Sequence, residues 1–191
     1  MKITEYIQNS IKTKSKILNS ETIIKKIETI ANTIIDAYKR GNKVLIAGNG
    51  GSAADAQHIA GELVSKFKFD RPPLAAIELN TNSPLLTAIS NDYGYEESFA
   101  RQIRANGNKG DIFIAISTSG HSPNIIKAVE EANKMEIITV GLIGDHECPL
   151  ETSCRHLIKI PSTDTPIIQE SQIMIGHIIC GLVEEGIFTS H

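Results

Sequence analysis

Four side chains in this sequence have the types and spacing that proton transfer beside a carbonyl requires. His58 and Glu62 stand four residues apart, and Gln169 and His177 stand eight apart. On helices the first pair shares a face, and the second spans a little over two turns on roughly one side. Shifting a carbonyl along a carbon chain needs a base to take a proton from carbon, an acid to protonate oxygen, and something to stabilise the enediolate between them. Glu62 and His177 can move protons. His58, Glu62, Gln169 and His177 together offer the mixed nitrogen and oxygen donors that suit a zinc ion. Neither pair decides the matter alone, because a histidine on an apolar helix is commonly a core residue and Gln169 is equally at home on a surface.

Two loops add a second kind of chemistry. Ala47-Gly48-Asn49-Gly50-Gly51-Ser52 follows an apolar run and precedes a helix opening with Ala53-Ala54-Asp55. Glycines let the backbone approach a ligand, while unpaired amides and the positive end of the helix dipole favour an anion. Ser117-Thr118-Ser119-Gly120-His121-Ser122 follows a second apolar run, ahead of a helix that starts at Pro123-Asn124. Its hydroxyls and helix-start amides match the outer oxygens of a phosphate monoester. Each loop also has a plainer reading. Gly48-x-Gly50-x-x-Ala53 satisfies a loose dinucleotide fingerprint, with Glu78 as the acidic residue closing the second strand, or it is a tight turn and nothing more. Ser122 serves as an N-cap before a proline at the first helical position, although that leaves Ser117, Thr118 and Ser119 unexplained. Two such loops in one small sheet favour a phosphorylated sugar, and with the four side chains above they point to aldose–ketose interconversion.

The elements that must hold these groups are legible as a change of period. Residues 1–40 carry apolar side chains at helical steps (Ile3, Tyr6, Ile7, Ile11, then Ile24, Ile27, Ile30, Ile34), with Asn19 and Ser20 between two helices and Gly41 closing the second. Such an added pair of amphipathic helices is expected either in the core or at a subunit interface. From Lys43 onward short apolar runs at 44–47, 74–79, 112–117, 137–143 and 156–160 alternate with helical stretches at 53–67, 84–91, 96–106, 122–134 and 166–187. Continuous rather than alternating apolar runs are the mark of strands buried on both faces, so a mostly parallel sheet with helical crossovers follows.

The 191 residues, 41% apolar and 21% charged, suffice for one substantial core, and one domain spanning residues 1–191 is expected. A net charge of -3 gives no global reason to expect nucleic acid or a membrane surface as partner. No apolar run is expected to reach the roughly 20 residues that span a bilayer, and the first residues lack the pattern of a secretion signal. Cys148, Cys154 and Cys180 form an odd set without a CxxC pair, which fits a reducing compartment and gives the cytoplasm as the expected location. His121, His146 and His191 are expected to be surface or loop residues.

Four segments, GNGGSAADAQHIAGEL (48–63), SNDYGYEESFARQ (90–102), ISTSGHSPNIIKA (116–128) and IQESQIMIGHIIC (168–180), resemble the signatures of bacterial phosphoheptose isomerases of the SIS-domain fold. The resemblance covers nearly the whole chain. It implies an α/β, SIS-type (flavodoxin-like) doubly wound five-stranded parallel sheet with two extra N-terminal helices. It also implies that Asn49, Gly50, Gly51 and Ser52 line the substrate with Asn91 and Asp92, and that Ser117, Thr118, Ser119 and Ser122 take its phosphate. By the same resemblance one zinc ion per subunit is held by His58, Glu62, Gln169 and His177, with Glu62 and His177 as the catalytic pair and Glu62 and Gln169 also touching sugar. The implied substrate is sedoheptulose 7-phosphate, the implied assembly a homotetramer with sites between subunits, and the implied product a precursor of the heptose nucleotide of lipopolysaccharide core or capsule. The rival expectations are a non-catalytic SIS module that binds a sugar phosphate or a replication initiator protein, and an SIS isomerase of pentose or hexosamine phosphates. The presence of all four polar side chains favours the enzyme.

Overall fold

The computed structural model describes residues 2–189, so His191 lies outside it. The apolar runs form five strands: β1 (Val44–Gly48), β2 (Ala76–Glu78), β3 (Ile112–Ile116), β4 (Ile138–Ile143) and β5 (His156–Lys159). They make one parallel sheet in the order β2-β1-β3-β4-β5. Around it lie α1 (Ile3–Leu18), α2 (Glu21–Lys39), α3 (Gly51–Val64), α4 (Ser83–Tyr93), α5 (Ala100–Asn106), α6 (Pro123–Lys134), the short α7 (Leu150–Ser153) and α8 (Thr165–Phe188).

Successive side chains on a strand point to opposite faces, and here both faces are covered. Val44, Ile46, Ile112, Ile114 and Ile116 join one core with Ile30 and Ile34 of α2, Ile59 and Leu63 of α3, and Ile175 and Ile179 of α8. Leu45, Ala47, Phe113 and Ala115 join a second core with Phe99, Ile103 of α5, and Ile125 and Val129 of α6. This is why the strands read as unbroken apolar runs. The chain leaves β1 for β2 at the edge, then returns past β1 to form β3. The carboxyl ends of β1 and β3 therefore flank a topological switch point, the place where open α/β sheets hold ligands. The glycine loop follows β1 and the serine loop follows β3.

Several expectations are corrected. By length and composition α8 is apolar enough to cross a membrane, but more than half of its most apolar stretch is buried inside the protein, and it serves as a core helix. The helix expected at 96–106 is broken into a single 3-10 turn at Tyr95–Glu97 and α5, a break that lets Ser98 and Phe99 turn fully inward. The helix expected to reach residue 67 stops at Val64, because the backbone N–H groups of Phe67, Lys68 and Phe69 turn to the Glu184 carboxylate instead. The second strand shrinks to three residues at the sheet edge after Pro72-Pro73. Proline has no N–H for the ladder.

At the N-terminus, the Ser20 hydroxyl caps α2 by accepting from Ile23 N at 3.3 Å. The α2 helix is buried through Ile27, Ile30 and Ile34, whereas α1 leaves Ile3, Ile7, Ile11 and Leu18 exposed. Lys14 and Ser10 of α1 both bond Glu170, which pins α1 to α8.

Candidate active site

Helices α3 and α8 lie side by side and run in the same direction. A Cβ at Gly51 would fall on the Gln169 amide, one at Gly176 would fall on Ile59, and Phe67, just past α3, is level with Gly181. Gly176 is thus a close-approach glycine, and the approach brings the polar groups of the two helices together. His58 Nε2 is 3.0 Å from Glu62 Oε1 and 3.0 Å from His177 Nε2. The two imidazoles are tilted by 59° with centroids 4.9 Å apart, and the Phe67 ring stacks on His177 at 5.6 Å. The cluster opens to solvent, with the His58 side chain half exposed and that of Glu62 a quarter exposed.

His58, Glu62 and His177 can hold a metal ion. Their ligand atoms all lie within 4.8 Å of one another. Two imidazole nitrogens aimed at each other and flanked by a carboxylate are the donor set a tetrahedral zinc uses, which spaces its donors about 3.3 Å apart. Gln169 is placed differently. Its amide packs on Gly51 at the glycine loop, and eight residues of helix, about 12 Å of rise, separate it from His177. Helical spacing placed the two on one side but said nothing of this difference in level.

Asp55 was not singled out from the sequence. It lies one turn ahead of His58, its Oδ2 is buried without a partner among the described residues, and burial pushes its pKa up to about 6 against the pull of His58. The available signal was its i,i+3 relation to His58 within the segment 48–63.

In the glycine loop, Gly50 takes a φ of +56° at the start of α3 and Gly48 lies so close to Ser52 that a side chain would collide. Asn80 brackets Gly48, donating to its carbonyl at 2.7 Å and accepting from its N–H at 3.3 Å. The Asn49 amide pairs reciprocally with that of buried Asn124, at 2.8 and 2.9 Å, and accepts from the Tyr95 hydroxyl at 2.9 Å. This pairing ties the glycine loop to the first turn of α6. Asn91 and Asp92, exposed near the end of α4, hydrogen-bond each other at 2.9 Å just ahead of Tyr95. In the serine loop, buried Ser117 accepts from Gly120 N at 3.1 Å and stands 3.3 Å from the Ser122 hydroxyl. Ser122 sits at the N-cap position of α6 without making a side-chain cap bond, so capping does not account for its hydroxyl. Ser119 is exposed and Thr118 partly so.

The SIS-domain family model matches residues 5–144. The chain is 57% identical over 186 residues to a phosphoheptose isomerase of Aneurinibacillus thermoaerophilus, covering 97% of this chain and 94% of that one. The chain belongs to the phosphoheptose isomerase family of SIS-domain proteins. A Campylobacter jejuni member is 56% identical over 97% of this chain and 92% of its own. The solved structure of a Francisella tularensis phosphoheptose isomerase superposes with a TM-score of 0.92 at 35% identity, covering 96% of both chains.

Family membership removes the dinucleotide reading, in which Glu78 would have bound ribose. Glu78 Oε1 accepts from Asn80 N at 2.5 Å, and burial, only partly offset by Asn80 and Thr81, pushes its carboxyl up. Through Oε1 it shapes the end of β2 beside the glycine loop, while its buried Oε2 has no partner among the described residues. The cysteines take packing roles: burial pushes the Cys154 and Cys180 thiols up to about 12, and Cys148 packs against Gly120 beneath the serine loop. His121 bonds the carbonyl of Glu147 at 2.9 Å, as befits a loop residue.

Proposed function

We propose that this sugar-phosphate isomerase interconverts sedoheptulose 7-phosphate and D-glycero-D-manno-heptose 7-phosphate through an enediolate, as the first step toward ADP-heptose. The observation that carries this reading is the junction of Glu62, His58 and His177 on α3 and α8, in a sheet whose switch point carries two anion loops. The high identity to phosphoheptose isomerases over nearly the full chain supports the same substrate.

In this reading Ser117, Thr118, Ser119 and Ser122 take the phosphate. Asn49, Gly50, Gly51, Ser52, Asn91 and Asp92 line the sugar, and Gln169, packed on the glycine loop, also faces it. Glu62 removes the proton from C1 of the ketose and returns one at C2. His177 supplies a proton to the oxygen at C2, then takes the hydroxyl proton from the oxygen at C1 as the carbonyl forms there. Its Nε2 faces His58, which leaves Nδ1 as the nitrogen free to carry that proton. Zinc, held by His58, Glu62 and His177, would supply Lewis-acid polarisation of the carbonyl. The protein is proposed to act as a homotetramer in the cytoplasm, where its unpaired thiols stay reduced.

The test is turnover by zinc-supplied protein offered sedoheptulose 7-phosphate, ribulose 5-phosphate and fructose 6-phosphate in parallel. Conversion of the heptulose phosphate alone is expected. Conversion only of a shorter sugar phosphate would reassign the substrate, and binding without conversion would favour a non-catalytic module.

A further inference from the structure

The last carbonyls of a helix have no partner within it. At the end of α3 two of them, those of Glu62 and Leu63, are taken by one side chain: Arg71 Nη2 donates to Glu62 O at 2.8 Å and Nη1 to Leu63 O at 2.7 Å. Arg71 Nε also donates to Glu184 Oε2 at 3.2 Å, and the two side chains are only 2% and 1% exposed. Glu184 lies two turns beyond His177 on α8, on nearly the same face. Its carboxylate accepts the backbone N–H groups of Phe67, Lys68 and Phe69 at 2.7, 2.8 and 3.2 Å. Phe67 is the residue whose ring stacks on His177. A buried ion pair gives little net stability relative to well-packed apolar groups, because desolvation offsets most of the attraction. Its use here is in what it holds.

We infer that Arg71 and Glu184 are positioning residues for the Glu62–His177 pair, an inference that rests on the proton-transfer reading of those two groups. Arg71 fixes the level of the Glu62 backbone at the end of α3. Glu184 sets the 67–69 turn and with it the Phe67 ring that limits the tilt of His177. Neither touches the reacting atoms. Both ends of the proton relay are thereby referred to one buried contact between α3 and α8. A misplacement of about 1 Å at such a pair lowers turnover by about 10²-fold.

Two variants test this. Arg71→Lys keeps the charge but loses the planar fork that reaches the Glu62, Leu63 and Pro72 carbonyls and the Glu184 carboxylate. Phe67→Leu leaves the ion pair intact and removes the ring over His177. Both are assayed well below their own melting temperatures, for kcat and KM with sedoheptulose 7-phosphate and for Co2+ binding followed by its visible absorption. The expected result is a kcat about 10- to 100-fold lower with KM changed by less than about twofold, together with weaker cobalt binding and an altered absorption band. Wild-type kcat and cobalt spectrum with only a lowered melting temperature would make the pair a structural brace and overturn the inference. If Arg71→Lys does not fold, Phe67→Leu decides by the same criteria. Wild-type protein that binds cobalt without turning over the sugar phosphate would sink the functional reading while the variant spectra still judge the positioning. If it does neither, both fall.

Discussion

Glu62 stands 3.0 Å from the His58 imidazole, and exchanging its carboxylate for an amide separates basicity from bulk. Glu62→Gln is expected to lower kcat by about 10²- to 10⁴-fold while sugar-phosphate affinity, measured calorimetrically, changes by less than about threefold. Retained turnover would remove Glu62 as the base. At this scale the sequence was informative wherever a function depends on local spacing. The i,i+4 contact of His58 and Glu62 is formed, and the glycine loop and the hydroxyls at 117–122 stand at the carboxyl ends of β1 and β3. It was silent on Asn124, Tyr95, Arg71 and Glu184, because their roles are partnerships between segments 46 to 117 residues apart. Composition and period carry no information about such pairings.

At the scale of elements, eight residues of rise along α8 separate Gln169 from His177, and the parallel packing of α3 on α8 joins His177 to His58. Helical period gives the face of each helix, whereas the register between the two helices is set at Gly51 and Gly176, against which the Gln169 and Ile59 side chains pack. The strand ends are held by another buried group. Asp111, at the start of β3, accepts from Lys43 Nζ at 2.6 Å, from Lys43 N and Asn42 Nδ2 at 3.1 Å, and from Asn108 N at 2.8 Å. Burial pushes its carboxyl up, but these donors outweigh burial and hold it below the ordinary value. A lowered carboxyl stabilises the fold fully above the unfolded value, about 3.9, and that stability is lost as pH falls through the folded value. Asp111→Asn is therefore expected to cost about 3 kcal/mol at neutral pH. The gap in melting temperature from wild type should close in acid below about pH 4. A gap independent of pH would show that the ionised carboxylate does not carry the effect.

Across the whole molecule, the two cores and the sheet order follow from unbroken apolar strands that can only be buried on both faces. What the strands leave undetermined is the outer face of α1. Ile3, Ile7, Ile11 and Leu18 are 75, 51, 59 and 72% exposed, and an apolar groove of about 490 Å³ lined by Leu18, Ile24, Met174 and Ile178 continues from them. In the proposed tetramer this surface is covered. Replacing Ile7 and Ile11 together by Asp is expected to reduce the mass measured by light scattering to that of a smaller assembly, with helical content retained. An unchanged mass would place the interface elsewhere.

An enediolate formed from a seven-carbon sugar phosphate is open to direct observation by proton NMR. Zinc-supplied protein is incubated with sedoheptulose 7-phosphate in heavy water. An aldoheptose 7-phosphate carrying deuterium at C2 is expected, because the proton that Glu62 removes exchanges with solvent before its return. No conversion, or conversion without deuterium at C2, would contradict it.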